Sequence, residues 1–269
     1  VACAGYALAD GLPVAFAAAV LSGAGGALLW VSLRAMVGER LAEDSGVFAK
    51  LLSAEEYGGW VVFVPAVLAV GVLGYPGTFL ALAACCLAGA GVLMTAPRAI
   101  GSPSAASPSS ALLRQLSPML GAVVLTMTAE AAVGLLLVLH LQNEFGLPPA
   151  QIAMVFLPGA IAMSVLPAYL HRWVTRLGRA RMVAVASVSS ALFAASLAAA
   201  PQPAVIGLAW VLTAAAWAVI LPVQQAAVAE VAGPARLGRG LGWYESATLA
   251  GGLLGSLAAG FLYRSDWWT

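Results

Sequence analysis

Residues 117–142 read SPMLGAVVLTMTAEAAVGLLLVLHLQ, a run that holds one carboxylate, Glu130, and neither Lys nor Arg. A helix crossing about 30 Å of hydrocarbon needs about 20 apolar residues, so this run spans a bilayer with length to spare. Glu130 then lies close to mid-span, and Thr126 sits one helical turn before it on the same face. An ionised carboxylate at a helix centre costs about 2.5–3.5 kcal/mol on insertion scales, so it has to face a protein interior or a watery cavity. This run predicts a membrane helix with one functional group at its middle.

The rest of the chain has the same character. Of 269 residues, 62% are hydrophobic and 9% charged, and the mean hydropathy is +0.97. Soluble domains carry about 25% charged residues, and a core of this size cannot take up so much apolar surface from water. The formal charge of +1 lacks the basic excess of a nucleic-acid binder. Apolar stretches at 14–37, 57–74, 78–96, 117–142, 150–170, 182–200, 204–229 and 240–263 approach or reach membrane length, and 1–9 makes a shorter ninth. Breakers separate them: Asp10-Gly11-Leu12-Pro13, Gly74-Tyr75-Pro76-Gly77, Gly146-Leu147-Pro148-Pro149 and Pro201-Gln202-Pro203. No ten-residue alternating segments occur, which argues against a membrane barrel. The expected fold is an all-α polytopic bundle of nine helices.

Eleven of the twelve basic residues fall in loops on one side of such a bundle, and only Arg264 falls on the other. The positive-inside rule puts the basic side in the cytoplasm of a cell membrane. The preference for Arg over Lys (eleven to one), with abundant Ala and Gly, hints at a bacterial source. Residues 97–116, rich in Ser, Pro and Ala, read as a cytoplasmic linker between an N-terminal bundle (1–96, about four helices) and a C-terminal one (117–269, about five). Shifting the chain by 192 residues aligns the turn at 10–13 with 202–205 and the polar segment 38–46 with 230–238. That is the pattern of a duplicated half.

Parallel repeats about an axis along the membrane normal occur in the two halves of major facilitator transporters. The loop LPAYLHRWVTRLGRARMV, residues 166–183, is similar to the basic signature between the second and third helices of each half in that superfamily. Arg176, Gly178, Arg179 and Arg181 match its pattern, and Arg172 precedes them. Thr175 stands where an acidic residue is usual. Residues 217–263, with Pro222, Glu230, RLGRGLGWYES and the glycines from 251 to 260, resemble the tenth and eleventh helices of the family. The whole chain then corresponds to helices three to eleven of a two-bundle, six-plus-six architecture, with helices expected on either side of it. Gly58, Gly59 and Pro65 match part of the Gly-rich stretch of antiporter members, whereas Phe63, Val64 and Leu68 replace expected small residues. The resemblance implies a transporter, with the basic loop and Glu230 as a cytoplasmic gating contact.

Several residues are candidates for substrate binding or proton coupling. Glu130 and Thr126 lead. Glu55 and Glu56 join them if their helix starts near Phe48, and lie outside it if it starts at Tyr57. Glu245 shares that ambiguity. Trp30, Trp210 and Trp217 lie within spans, where they either stack a substrate or, as their bulk favours, fill the core. Arg34 is explained by snorkelling to the interface, and His140 by interfacial hydrogen bonding. Gly23, Gly25, Gly26 and the glycines from 251 to 260 suit close helix approach.

The expected function is secondary active transport of a small organic solute, coupled to protons and working by alternating access through rocking of two bundles. A sparsely charged cavity favours efflux of an amphipathic compound over uptake. No Walker-type phosphate loop occurs, so a self-contained ATP-driven pump is excluded. An enzyme is not expected: the two histidines, His140 and His171, lie near opposite faces, and no metal pair or cofactor motif is present. The alternative is a transporter-like protein that binds a solute or partner without moving it. The expected partners are the lipid bilayer, the solute and a proton or other coupling ion, around a monomer with no metal.

Overall fold

The computed structural model describes residues 1–95, 109–198 and 202–264, and contains no strand among them. The elements are α1 (Ala2–Ala7), α2 (Leu12–Gly38), α3 (Val47–Thr95), α4 (Ser109–Asn143), α5 (Pro149–Leu177), α6 (Arg179–Ala198), α7 (Pro203–Ala232), a 3-10 turn (Pro234–Arg236) and α8 (Leu237–Arg264). Gly74, at φ 67° and ψ 178°, divides α3 into two helices, so the described residues hold the nine expected helical segments. Seven stretches among them are long and apolar enough to cross a membrane. The expected span 57–74 lies within α3, whose membrane-length apolar stretch is Leu68–Thr95, and α1 is a single short helix.

The separators read from the sequence set the helix ends. Pro sits in the first turn of α2, α5 and α7, where its missing N–H costs nothing and its fixed φ suits the helix. Gly178, at φ 86°, separates α5 from α6 within one residue, a backbone conformation that side-chain-bearing residues rarely take. The linker boundary differs from expectation. Residues 96–108 lie outside the described residues, but 109–116 are helical and belong to α4. Their reason is packing: Leu112, Leu116, Leu120, Val123 and Met127 form one buried stripe at helical spacing.

That stripe enters the main core with Trp217, Val228 and Ala232 of α7, Leu237, Leu241 and Tyr244 around α8, and Phe48 of α3. Small residues bring α4 and α8 together. A Cβ on Gly251 would lie 2.6 Å from the Val124 carbonyl oxygen, and one on Gly255 would collide with the Thr128 carbonyl. By contrast, a Cβ on Gly23, Gly25, Gly26, Gly252 or Gly260 would meet nothing within 4 Å. Only part of the expected small-residue packing is therefore made. At the far end from the basic loops, Leu137, Leu141, Ile152, Phe193 and Ile206 form a second cluster. There Asn143 of α4 donates a hydrogen bond to the Tyr263 hydroxyl of α8. Trp267 and Trp268, expected as an interfacial belt, lie outside the described residues.

Candidate functional site

A cavity of about 310 Å³ opens between α4, α6 and α7, lined by Thr126, Glu130, Ser187, Ser190, Trp210, Thr213 and Trp217 among others. The sequence places Glu130 on the same α4 face as Thr126, and both reach the cavity. Thr126 spends its hydroxyl proton on its own helix, 3.0 Å from the carbonyls of Ala122 and Val123. Glu130 is half-buried, and no described residue hydrogen-bonds or ion-pairs with it. Trp217, 9% exposed, forms part of the wall. Trp210 is held edge-on by Phe156 and Phe193, with ring centroids 5.0 and 5.4 Å away. Thr213 is 8% exposed, and its hydroxyl oxygen is buried with no partner. Thr213, Ser187 and Ser190 were not legible as site residues, because nothing in a run of small residues marks which hydroxyl faces a cavity.

A second polar cluster sits closer to the basic end. Arg34 of α2 donates through Nη1 to Glu245 Oε2 of α8, and its Nη2 stands 3.9 Å from Glu55 Oε2 of α3. The two side chains of the close pair are 12% and 11% exposed, while Arg34 Nε is buried without a partner. Trp30, four residues back on α2, lies with its ring centroid 5.4 Å from the guanidinium. Arg34 therefore does not snorkel outward. It is turned inward, because two carboxylates, Glu55 and Glu245, come from neighbouring helices and it is the cation between them. Glu55 and Glu56 both lie inside α3, which starts at Val47, so the helical alternative read from the sequence is the one realised.

At the basic end the halves touch directly. Phe48, 1% exposed, inserts from α3 into the core built by α4, α7 and α8. A Cβ on Gly38 would lie 3.1 Å from Leu237 Cδ2, and one on Gly46 2.9 Å from His171 Cδ2. Ser45 Oγ stands 3.2 Å from His171 Nε2. A cavity of about 350 Å³ is lined there by Ser45, His171, Thr175, Gly178 and Arg179 with parts of α7. Arg179 grips Glu230 through two parallel hydrogen bonds of 2.7 and 2.6 Å, the bidentate geometry that favours Arg. Arg236 instead donates to the Ala232 carbonyl at 3.2 Å. Arg172 stacks 3.5 Å over Tyr169 and Arg176 lies 5.7 Å over Trp173, each on a ring three residues back on α5. Thr175, in the position of the usual acidic residue, hydrogen-bonds the Arg172 carbonyl at 2.8 Å. Arg181 lies in the first turn of α6, which begins at Arg179.

The sequence model of the Major Facilitator Superfamily matches residues 119–269, which is more than half of the chain. The chain belongs to the major facilitator superfamily. It is a multi-pass membrane protein of a family of transporters, rather than enzymes, that take small molecules across lipid bilayers. No curated protein and no solved structure matches it. The matched region runs through α4–α8 and holds Glu130, Arg179, Glu230 and Glu245. In this major facilitator chain, Phe48, Arg34, Glu55 and Glu56 come from the part before the match and meet that region at the basic end.

Proposed function

We propose that this chain serves secondary active transport of a small organic solute, coupled to protons and worked by rocking of an N-terminal bundle (1–96) against a C-terminal one (117–269). The observation that carries the reading is Glu130 in a mid-span cavity, without a hydrogen bond or ion pair among the described residues, near two halves joined at the basic end. A carboxylate at that depth is functional by default, and in major facilitator halves the substrate and coupling sites lie near the midplane. The basic end is read as the cytoplasmic face of a cell membrane, from the eleven-to-one asymmetry of Arg and Lys. The Phe48 insertion, the Arg34–Glu245 pair and the Ser45–His171 contact then close the cytoplasmic side, with Arg179–Glu230 bracing the C-terminal half beside them. Efflux is favoured over uptake, since aromatic and aliphatic side chains dominate the cavity wall.

The test is flux in proteoliposomes under an imposed pH gradient, with a panel of amphipathic amines, sugars, amino acids and organic acids. Wild type is expected to accumulate one class of solute at the expense of the gradient. Glu130→Gln is expected to lose gradient-driven accumulation while keeping exchange of solute down its own gradient. If panel compounds stabilise the folded protein by mass action yet none crosses the membrane, the chain is a solute-binding protein and the transport reading is wrong.

A further inference from the structure

We infer that the Glu130 cavity takes an organic monocation, a protonated amine carried on an apolar or aromatic body, which displaces a proton from the site. The inference rests on the transporter reading of the same site and names the class of its solute.

Charge is the first ground. Around the mid-span cavity and the cluster beneath it stand four carboxylates: Glu130 on α4, Glu55 and Glu56 on α3 and Glu245 on α8. Of these, Glu245 and Glu55 face one guanidinium, Arg34 on α2, which is committed to them. The cavity walls from α6 and α7 contribute only uncharged groups, and the His171, Arg172 and Arg176 side chains of α5 belong to its basic end. An anionic solute would add to an uncompensated negative site in a low-dielectric interior. A cation or a proton compensates it.

The second ground is independent of charge. The Thr213 hydroxyl lines the cavity, is buried, and has no partner. A buried hydroxyl left unpaired is costly, and its lone pairs accept from an ammonium N–H. Trp210 and Trp217, one turn to either side of it on α7, line the same cavity, and the π faces of indole rings attract a desolvated cation. Carboxylate, hydroxyl acceptor and aromatic wall are the three parts of an amine site. The exchange balances: the amine enters as the monocation and Glu130 gives up its proton to the cavity water.

The experiment uses the full-length protein in lipid nanodiscs, with three probes of one shape by isothermal titration calorimetry: 2-phenylethylammonium, neutral 2-phenylethanol and anionic 3-phenylpropanoate. The ammonium is expected to bind at least tenfold more tightly than the alcohol, with no binding of the carboxylate. Where Glu130 is protonated, its affinity should fall up to tenfold per unit of pH lowered. The heat should also vary with the ionisation enthalpy of the buffer, reporting a released proton. Glu130→Gln should lose the preference for ammonium over alcohol and the proton release together. Thr213→Val should weaken the ammonium three- to tenfold and leave the proton release in place. Equal binding of the ammonium to wild type and Glu130→Gln, or a preference for the carboxylate, overturns the inference. If another solute shows gradient-driven flux while the ammonium does not bind, this inference falls and the transport reading stands. If the ammonium binds with proton release but no solute crosses, the reverse holds.

Discussion

The unit α2–α3 and the unit α7–α8 fall in register when the chain is shifted by 192 residues, yet they are packed in opposite ways. Both open with Pro in the first turn of a long helix, run to the basic end, and lead through a short connection into the next helix. Mean hydropathy of the most apolar stretch is similar, 1.9 in α2 and 2.3 in α7. Burial is not: 6% of that stretch is buried in α2 and 56% in α7. Helix α7 is wrapped by α4, α5, α6 and α8, with Gly207 against the Val155 carbonyl and Gly159 of α5 against Trp210. In α2 only Ala18 and Gly38 are buried. In water an apolar helix must find a core; in a bilayer its flank is as content against lipid tails as against protein. Hydropathy therefore fixes that both helices span and leaves open what each of them touches.

The two units meet at Arg34 and Glu245, and breaking that pair has the largest expected effect. Arg34→Gln leaves Glu245 and Glu55 without their cation, and removing one partner of a buried pair costs about 3–5 kcal/mol. Glu245→Gln should cost less, because Glu55 stands 3.9 Å away to take the guanidinium. The double variant should recover part of the loss, a coupling that a double-mutant cycle on thermal unfolding in detergent reads directly. For scale, Arg179→Gln breaks a pair whose side chains are 45% and 49% exposed, and such a pair is worth about 0–1 kcal/mol. Equal effects at the two sites would show that the Arg34 pair is not buried between the halves.

Glycine gives the next contrast. Gly255→Val pushes side-chain carbon into the Thr128 carbonyl of α4, backbone that cannot yield without parting α4 from α8, and overpacking of this kind costs about 1–3 kcal/mol. Gly25→Val on α2 meets open space and should move the unfolding midpoint little or raise it, since Gly is the poorer helix former by about 1 kcal/mol or less. If both variants lose stability alike, α2 has a close neighbour at Gly25 and the contrast between the units fails.

Much of the fold was legible because membrane helices end where Pro and Gly stop them. The separators at 10–13, 74–77 and 146–149 fall at helix ends or at the Gly74 break, and Gln202-Pro203 opens α7. The start of α4 was not, since Ser109–Leu116 is polar enough to read as linker until Leu112 and Leu116 are seen buried. At the site, Glu130 stood out by the cost of its depth. Arg34 did not, because a cation near a helix end has an inexpensive explanation in snorkelling. Its signal was present in another form: two carboxylates, Glu55 and Glu245, near the basic ends of neighbouring spans. Glu245 and Glu55 were legible as residues but not as partners, since pairing across 211 and 21 positions of sequence depends on helix rotation. Thr213 carried no signal at all, being one hydroxyl among many in small-residue helices.

The smallest expected effect separates the two connections at the basic end. In the α2–α3 connection Asp44 Oδ2 accepts from Lys50 Nζ at 2.5 Å and Oδ1 from the Gly46 N–H at 2.9 Å. The Lys50 hydrogen bond, with help from the Gly46 amide, holds its carboxyl below the ordinary value of 3.8. A carboxyl with a lowered folded value binds its proton more readily in the unfolded chain, so it adds stability above pH 3.8 that is lost as pH falls through the folded value. The α7–α8 connection, Gly233-Pro234-Ala235-Arg236, has no carboxylate to titrate. Asp44→Asn should therefore narrow the gap between the unfolding midpoints at pH 6 and pH 3 slightly, and added salt should shrink the difference further because the pair is solvent-exposed. Gly46 is pressed against His171 of the other half, so the loss should also loosen the Ser45–His171 contact. A broader His171 Nε2 resonance in Asp44→Asn at neutral pH would register that, and an unchanged one would confine the Asp44 lock to its own loop.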